Sequence, residues 1–138
     1  MASDPAIAEA LGSTDLFSAL DPRALGKVAG AMAIVSHDAG KQLATQGQDG
    51  IAFHLILDGT ATVSVDGRPS IQIGKGAYFG DISMIDGKPR SATVTADTGL
   101  RTAALTAWEF RPLLDEEPTL AKALLLVMCE RLRRSEQA

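Results

Sequence analysis

From His37 to Thr106 the chain is divided into short apolar runs by closely spaced glycines, and this pattern constrains the fold more than any other feature of the sequence. Runs this short, bounded by turn-forming residues, suit strands of a compact antiparallel β-structure; helices need longer periodic segments. The clearest strands are expected at Ile51–Leu57, Thr60–Val65 and Ile71–Ile73, with a further pair at Ala92–Ala96 and Arg101–Thr106. Asp66-Gly67 is a hairpin signal, because both residue types tolerate positive φ. Asp97 to Gly99 should turn between the last two strands.

Helical patterns flank this region. Pro5–Leu11 and Pro22–Met32 carry apolar positions three or four apart, Asp21-Pro22 makes a good helix start, and Asp15–Leu20 reads as a turn between them. From Ala107 the chain becomes helical again, interrupted at Pro112 and Pro118, and Thr119–Arg134 is the longest candidate. That helix puts Leu120, Leu124, Val127 and Met128 on one side, while Leu125, Cys129 and Leu132 widen the apolar surface beyond what packing on one sheet requires. Arg131, Arg133 and Arg134 suit the negative pole at its end.

The expected fold class is therefore α+β, in a single domain over residues 1–138. Residues 1–35 are expected to be helical, 36–106 to form an antiparallel β-roll of jelly-roll type, and 107–135 to form C-terminal helices. With 138 residues, 46% apolar and 22% charged, the chain can bury a full core. The formal charge of −4 argues against non-specific nucleic-acid binding. The single Cys129 allows no intramolecular disulfide, and a buried, small apolar role is expected for it. The N-terminus lacks the basic start and apolar stretch of a secretory signal, and the run Ala123–Cys129 is far shorter than the roughly 18 residues a membrane span needs. A soluble, cytoplasmic protein with no membrane partner is expected.

The chemistry is concentrated in Phe79–Val94, FGDISMIDGKPRSATV. Gly80 allows a close backbone approach, and Ile82, Ser83 and Met84 can begin a short helix whose free N–H groups favour an anion. Arg90, expected to be exposed just past Pro89, supplies a planar donor fork that grips phosphate oxygens in pairs. The competing reading is that Asp81 caps the short helix and pairs with Arg90, with no ligand at all. The residues alone leave these two open.

This segment resembles the phosphate-binding cassette of the cyclic nucleotide-binding domain family, which includes catabolite-activator-type regulators, protein kinase regulatory subunits and cyclic-nucleotide-gated channels. The family pattern reads roughly FGE, two or three apolar or small residues, a spacer, then PR, a small residue, A and TV. Upstream, Ala39–Val65 is similar to the family's paired glycine turns and strand–Gly–strand segment, with Gly40, Gly47, Gly50 and Gly59 in place. The resemblance runs from about Leu16 to Leu132.

The resemblance implies a β-roll with N-terminal helices, a short cassette helix and a C-terminal helix. It implies a ligand site formed by Phe79, Gly80, Asp81, Ile82, Ser83, Arg90, Ser91 and Ala92. The backbone near Gly80, Ile82 and Ser83, with Arg90 and Ser91, would hold the cyclic phosphate, and Asp81 would accept from the ribose 2′-OH. Two positions depart from the family: Asp81 stands where Glu is usual, one methylene farther from the ribose, and His54 stands where an aromatic is frequent. The expected ligand is cAMP, with cGMP as the alternative, since Ser91 fits either base.

The implied function is regulatory binding, with capture of phosphate moving the cassette and the C-terminal helix closing over the base. Leu124, Leu125 and Met128 would form that lid. The expected partners are the cyclic nucleotide, a twin copy through the C-terminal helix, and an effector protein. The alternative is a ligand-free β-roll that acts as a protein-interaction module.

Other chemistries fit less well. Gly74-Lys75-Gly76 with Gly80 has neither dinucleotide-loop nor P-loop spacing. His37 and His54 lie in different segments with no third ligand suggested, so no metal or cofactor is expected. No nucleophile motif frames a serine, and the chain is not expected to be an enzyme. Only Ser135–Ala138 follow Arg134, which leaves no room for a helix-turn-helix. Direct nucleic-acid contact is therefore not expected, and output should reach another protein or a twin subunit unless an effector domain has been removed.

Overall fold

The computed structural model describes residues 5–48 and 52–137, so Gly50 and Ile51 lie outside the described residues. It divides into two compact units, a β unit of residues 32–110 and a helical unit of residues 1–31 and 111–138.

In the helical unit, α1 (Pro5–Gly12) buries Ile7 and Leu11, and α2 (Pro22–Gly30) buries Ala24, Val28 and Ala29. Asp21 starts α2 by accepting from the Ala24 N–H at 2.8 Å, with Pro22 placed where its missing N–H costs nothing.

The β unit is two four-stranded antiparallel sheets. Its strands are β1 (Ala33–His37), β2 (Gln42–Ala44), β3 (Ala52–Asp58), β4 (Ala61–Ser64), β5 (Ile71–Ile73) and β6 (Tyr78–Phe79), then, after helix α3 (Asp81–Asp86), β7 (Thr93–Ala96) and β8 (Leu100–Thr106). One sheet runs β1-β8-β3-β6 and the other β2-β7-β4-β5. Ala44, Ile56, Ala61, Phe79, Val94, Ala96 and Leu100, drawn from both sheets, form one buried cluster. β3 is buried on both faces from Phe53 to Ile56 and lies between β8 and β6 in its sheet.

The chain ends in α4 (Ala107–Glu116) and α5 (Pro118–Gln137). Pro112 lies inside α4 rather than ending it; it removes the hydrogen bond to the Trp108 carbonyl, on the exposed side of the helix. Glu117, at the start of α5, accepts from Arg23 Nη1 at 2.6 Å and Nη2 at 2.8 Å and from Lys27 at 3.0 Å. The Arg23 bonds, foremost, hold its carboxyl down at about 2, and the same pairing raises Arg23.

Two expectations are corrected and one holds. β1 begins at Ala33, inside the stretch expected to be helical, because α2 ends at Gly30 and the next residues pair with β8. The hairpin expected at Asp66-Gly67 joins β4 to β5, with Gly67 left-handed and Asp66 at negative φ. Cys129 is exposed, since α5 buries Leu120, Ala123, Leu124 and Val127 while Leu125, Cys129 and Leu132 share an outward stripe at helical spacing. Among the described residues, no helix is long and apolar enough to cross a membrane.

Candidate functional site

A partly open cavity of about 200 Å³ lies in the β unit. All eight residues expected to form the ligand site, Phe79 to Ser83 and Arg90 to Ala92, line it. Ala44, Val63, Ile73, Tyr78 and Val94 complete the lining, and sequence reasoning did not select them. The last five are strand residues scattered along the chain, brought together only by sheet pairing; the available signal was their apolar character on inward-facing strands. Leu124, Leu125 and Met128 belong to the helical unit, where Leu124 is buried, Leu125 is 67% exposed and Met128 is half-buried.

The wall around Arg90 is built from backbone. Gly80 precedes α3 with φ 85°, a left-handed conformation that only glycine adopts without strain. A side-chain carbon there would overlap both the Ala52 carbonyl oxygen and Arg90 Nη1. Gly80 is thus the gap through which the guanidinium passes. At its far end, α3 closes with Gly87 at φ 72°, whose N–H bonds the Ser83 carbonyl, and Lys88 N–H bonds Asp86 Oδ1 to start the connector.

The connector delivers Arg90 to a fixed place. Its N–H donates to the Gln48 carbonyl at 2.8 Å, and its own carbonyl accepts from Gly47 at 2.9 Å. The side chain is 7% exposed, not exposed as expected, because it runs inward to the first residue of β3. There Nη2 donates to the Ala52 carbonyl at 2.7 Å. Nε and Nη1 are buried with no hydrogen-bond partner, so neither is bonded to the Asp81 carboxylate. Burial lowers the Arg90 pKa, yet guanidinium stays charged at any ordinary pH. The arrangement is a buried cation with two donors unused, which is costly unless an anion completes it.

The remaining lining divides by chemistry. Asp81 is 8% exposed and Ser83 4%, placing a carboxylate and a hydroxyl in the wall, with Ser91 exposed at the rim. The first-turn amides of α3 have no acceptor within the helix. Val63, Ile73, Tyr78 and the half-exposed Ile82 offer an apolar surface beside this polar end. Such a site can take an anion attached to a flat or apolar body.

His54, standing where the family frequently has an aromatic, lies behind the lining: its ring stacks on Phe79, with centroids 5.0 Å apart and planes at 17°. Burial, foremost, and the positive groups His37, Arg90 and Lys41 lower it to about 4. Among the described residues, no three His, Cys, Asp or Glu side chains gather as a metal site.

Residues 34–117 match the family model of the cyclic nucleotide-binding domain. The chain belongs to that family. Cyclic nucleotide-binding domains are regulatory binding modules, and the relatives of this one are of that kind. A cAMP-dependent protein kinase regulatory subunit of Emericella nidulans is 34% identical over 106 residues, which is 75% of this chain and 26% of that protein. The chain thus spans about a quarter of that relative's length. Among solved structures, the N-terminal domain of a transcriptional regulator from Streptomyces coelicolor A3(2) superposes with a TM-score of 0.79 at 30% identity, covering 93% of this chain and 92% of that one. A structure of PKAR CBD2 with Sp-2Cl-cAMPS bound gives a TM-score of 0.70 at 25% identity, covering 93% and 88%. These likenesses bear out the antiparallel β-roll with helices expected from the sequence.

Proposed function

We propose that this domain is a sensor for cAMP, with the cyclic phosphate held against Arg90. The observation that carries the reading is the buried guanidinium whose Nε and Nη1 have no hydrogen-bond partner at the wall of a cavity. The N–H groups on Nε and Nη1 are left to donate to phosphate oxygens. The amides of Ile82 and Ser83 and the Ser91 hydroxyl add donors on the same side, and Asp81 is the acceptor for a ribose hydroxyl. Val63, Ile73, Tyr78 and Ile82 supply the apolar contact for the sugar and base. The preference for cAMP over cGMP is supported by the kinase regulatory subunit relative and by the cAMP analogue in the PKAR CBD2 structure.

Signalling follows if the filled and empty cavities favour different positions of the cassette. A ligand shifts that balance only by its difference in affinity for the two states. In this reading α5 reports the change, with Leu124, Leu125 and Met128 closing over the base and an effector or a second copy receiving the signal from a cytoplasmic regulatory domain.

Titration calorimetry with cAMP and cGMP, on the natural protein and on Arg90→Leu, tests the site. Losing two charge-assisted hydrogen bonds should cost roughly 3 kcal/mol or more, so affinity should fall at least about 100-fold. Equal affinity in the variant would overturn the assignment of Arg90. Absence of heat with either nucleotide would favour the ligand-free interaction module.

A further inference from the structure

His37 and His54 share one hydroxyl. His37 Nε2 lies 3.2 Å and His54 Nδ1 3.0 Å from Thr102 Oγ1, and the two rings meet edge to face at 5.7 Å. The sheet order explains the meeting: β8 carries Thr102 between β1, which ends at His37, and β3, which holds His54. Thr102 is fully buried, so water does not compete for these bonds.

A hydroxyl has one proton to give. With both rings neutral, one ring nitrogen donates to Oγ1 and the other accepts from it. Adding a proton to His54 is compatible with this row, since Nδ1–H donates to Thr102 and Thr102 donates to His37 Nε2. A second proton on His37 would set two donors against the hydroxyl and leave its own hydrogen without an acceptor in the row. The pair therefore has room for one added proton.

His54 also touches the wall of the nucleotide cavity. It stacks on Phe79, and Arg90 donates to the carbonyl of Ala52, two residues earlier on the same strand. The charged groups acting on His54 come from three elements: His37 at the end of β1, Lys41 in the turn before β2, and Arg90 after α3. The helix α3, which also packs on β3, brings the cavity-lining Asp81 and the exposed Asp86. β6 adds half-buried Tyr78, and β8 adds exposed Arg101. All three groups that act on His54 oppose its protonation.

We propose that the His37–Thr102–His54 row is a proton site linked to the anion site at Arg90, so that a phosphate-bearing ligand in the cavity draws a proton onto His54 and binds more tightly as the solution is acidified. An anion at Arg90 offsets the positive charge that opposes protonation. Because linkage is reciprocal, the proton must strengthen anion binding by the factor by which the anion strengthens proton binding. The inference rests on the reading of the cavity as a cyclic nucleotide site.

The test follows the His54 ring by NMR through a pH titration, without and with saturating cAMP. The midpoint should rise by about half a pH unit when cAMP is bound, equivalent to about threefold tighter binding by the protonated form. Calorimetry near about pH 5, repeated in buffers of different ionisation enthalpy, should show fractional proton uptake on cAMP binding, and His54→Gln should abolish it. A midpoint that is unchanged or lowered in the cAMP complex overturns the proposal, as does uptake that persists in His54→Gln. Should that variant fail to fold, the NMR titration of the natural protein decides alone. No binding of cAMP at any pH overturns the underlying reading of the cavity, an outcome distinct from binding without proton linkage.

Discussion

Replacing Gly80 by alanine tests how the cassette is assembled, because its cost separates into a backbone part, shared with other left-handed glycines, and a steric part at Arg90. Gly80 has φ 85°, and a left-handed backbone costs an L-residue about 1–2 kcal/mol. Gly76, at φ 91°, carries the same conformational cost but has open space where a side-chain carbon would go. At Gly80 that carbon overlaps the Ala52 carbonyl and Arg90 Nη1, so the guanidinium must leave its Nη2 bond to Ala52. A hydrogen bond to a charged group contributes about 1.5–3 kcal/mol, which brings the expected loss at Gly80 to about 2.5–5 kcal/mol. Urea unfolding should therefore place Gly80→Ala at least about 1.5 kcal/mol below Gly76→Ala, and its melting temperature should fall by roughly 10 °C or more. Affinity for cAMP should fall with it, while Gly76→Ala binds normally. Equal destabilisation of the two variants would refute the claim that Gly80 is the passage for Arg90.

Two further tests use pH, and their windows differ. His54 has an ordinary value of 6.5 and a folded value of about 4, so the unfolded chain binds its proton more readily. Its contribution is fully present above pH 6.5 and is lost as pH falls through about 4, a change of about 3 kcal/mol in all; urea midpoints should fall across this window and flatten in His54→Gln. Glu117 is lowered from 4.5 to about 2 by Arg23 and Lys27, so its stabilisation is complete above pH 4.5 and disappears as pH falls through about 2. Acid unfolding followed by far-UV circular dichroism should lose this component in Glu117→Gln, and an unchanged acid limb would show that the Arg23–Glu117–Lys27 cluster adds nothing.

Four of the strands that were legible in the sequence have a buried face, while β5, found at its expected bounds Ile71–Ile73, has no fully buried residue and was legible from its isoleucines after the Asp66-Gly67 turn. Ala52–Asp58, Ala61–Ser64, Thr93–Ala96 and Leu100–Thr106 all carry inward apolar residues within a residue or two of the expected bounds. β1 was hidden because Ala33 to Ser36 are exposed: an edge strand with no buried face has no alternation to read. β2 and β6, with three and two residues, are too short for any periodic signal. The cassette was legible as a contiguous motif. Its supporting half was not, since Ala52 offers only a backbone carbonyl and Val63 and Ile73 meet the cassette through strand pairing. The His37–Thr102–His54 row lies across three strands, and nothing local in the sequence joins its members.

The order of strands within the first sheet has a consequence for biosynthesis. β1 and β3 each take β8 as a neighbour, so residues near position 33 wait for partners near position 104. During translation β3 can meet β6 early, but the edge that β1 and β3 each offer to β8 stays unpaired until the last strand clears the ribosome. Such late closure of distant pairs slows folding, and meanwhile the nascent segments depend on the crowded cell not to pair with something else first.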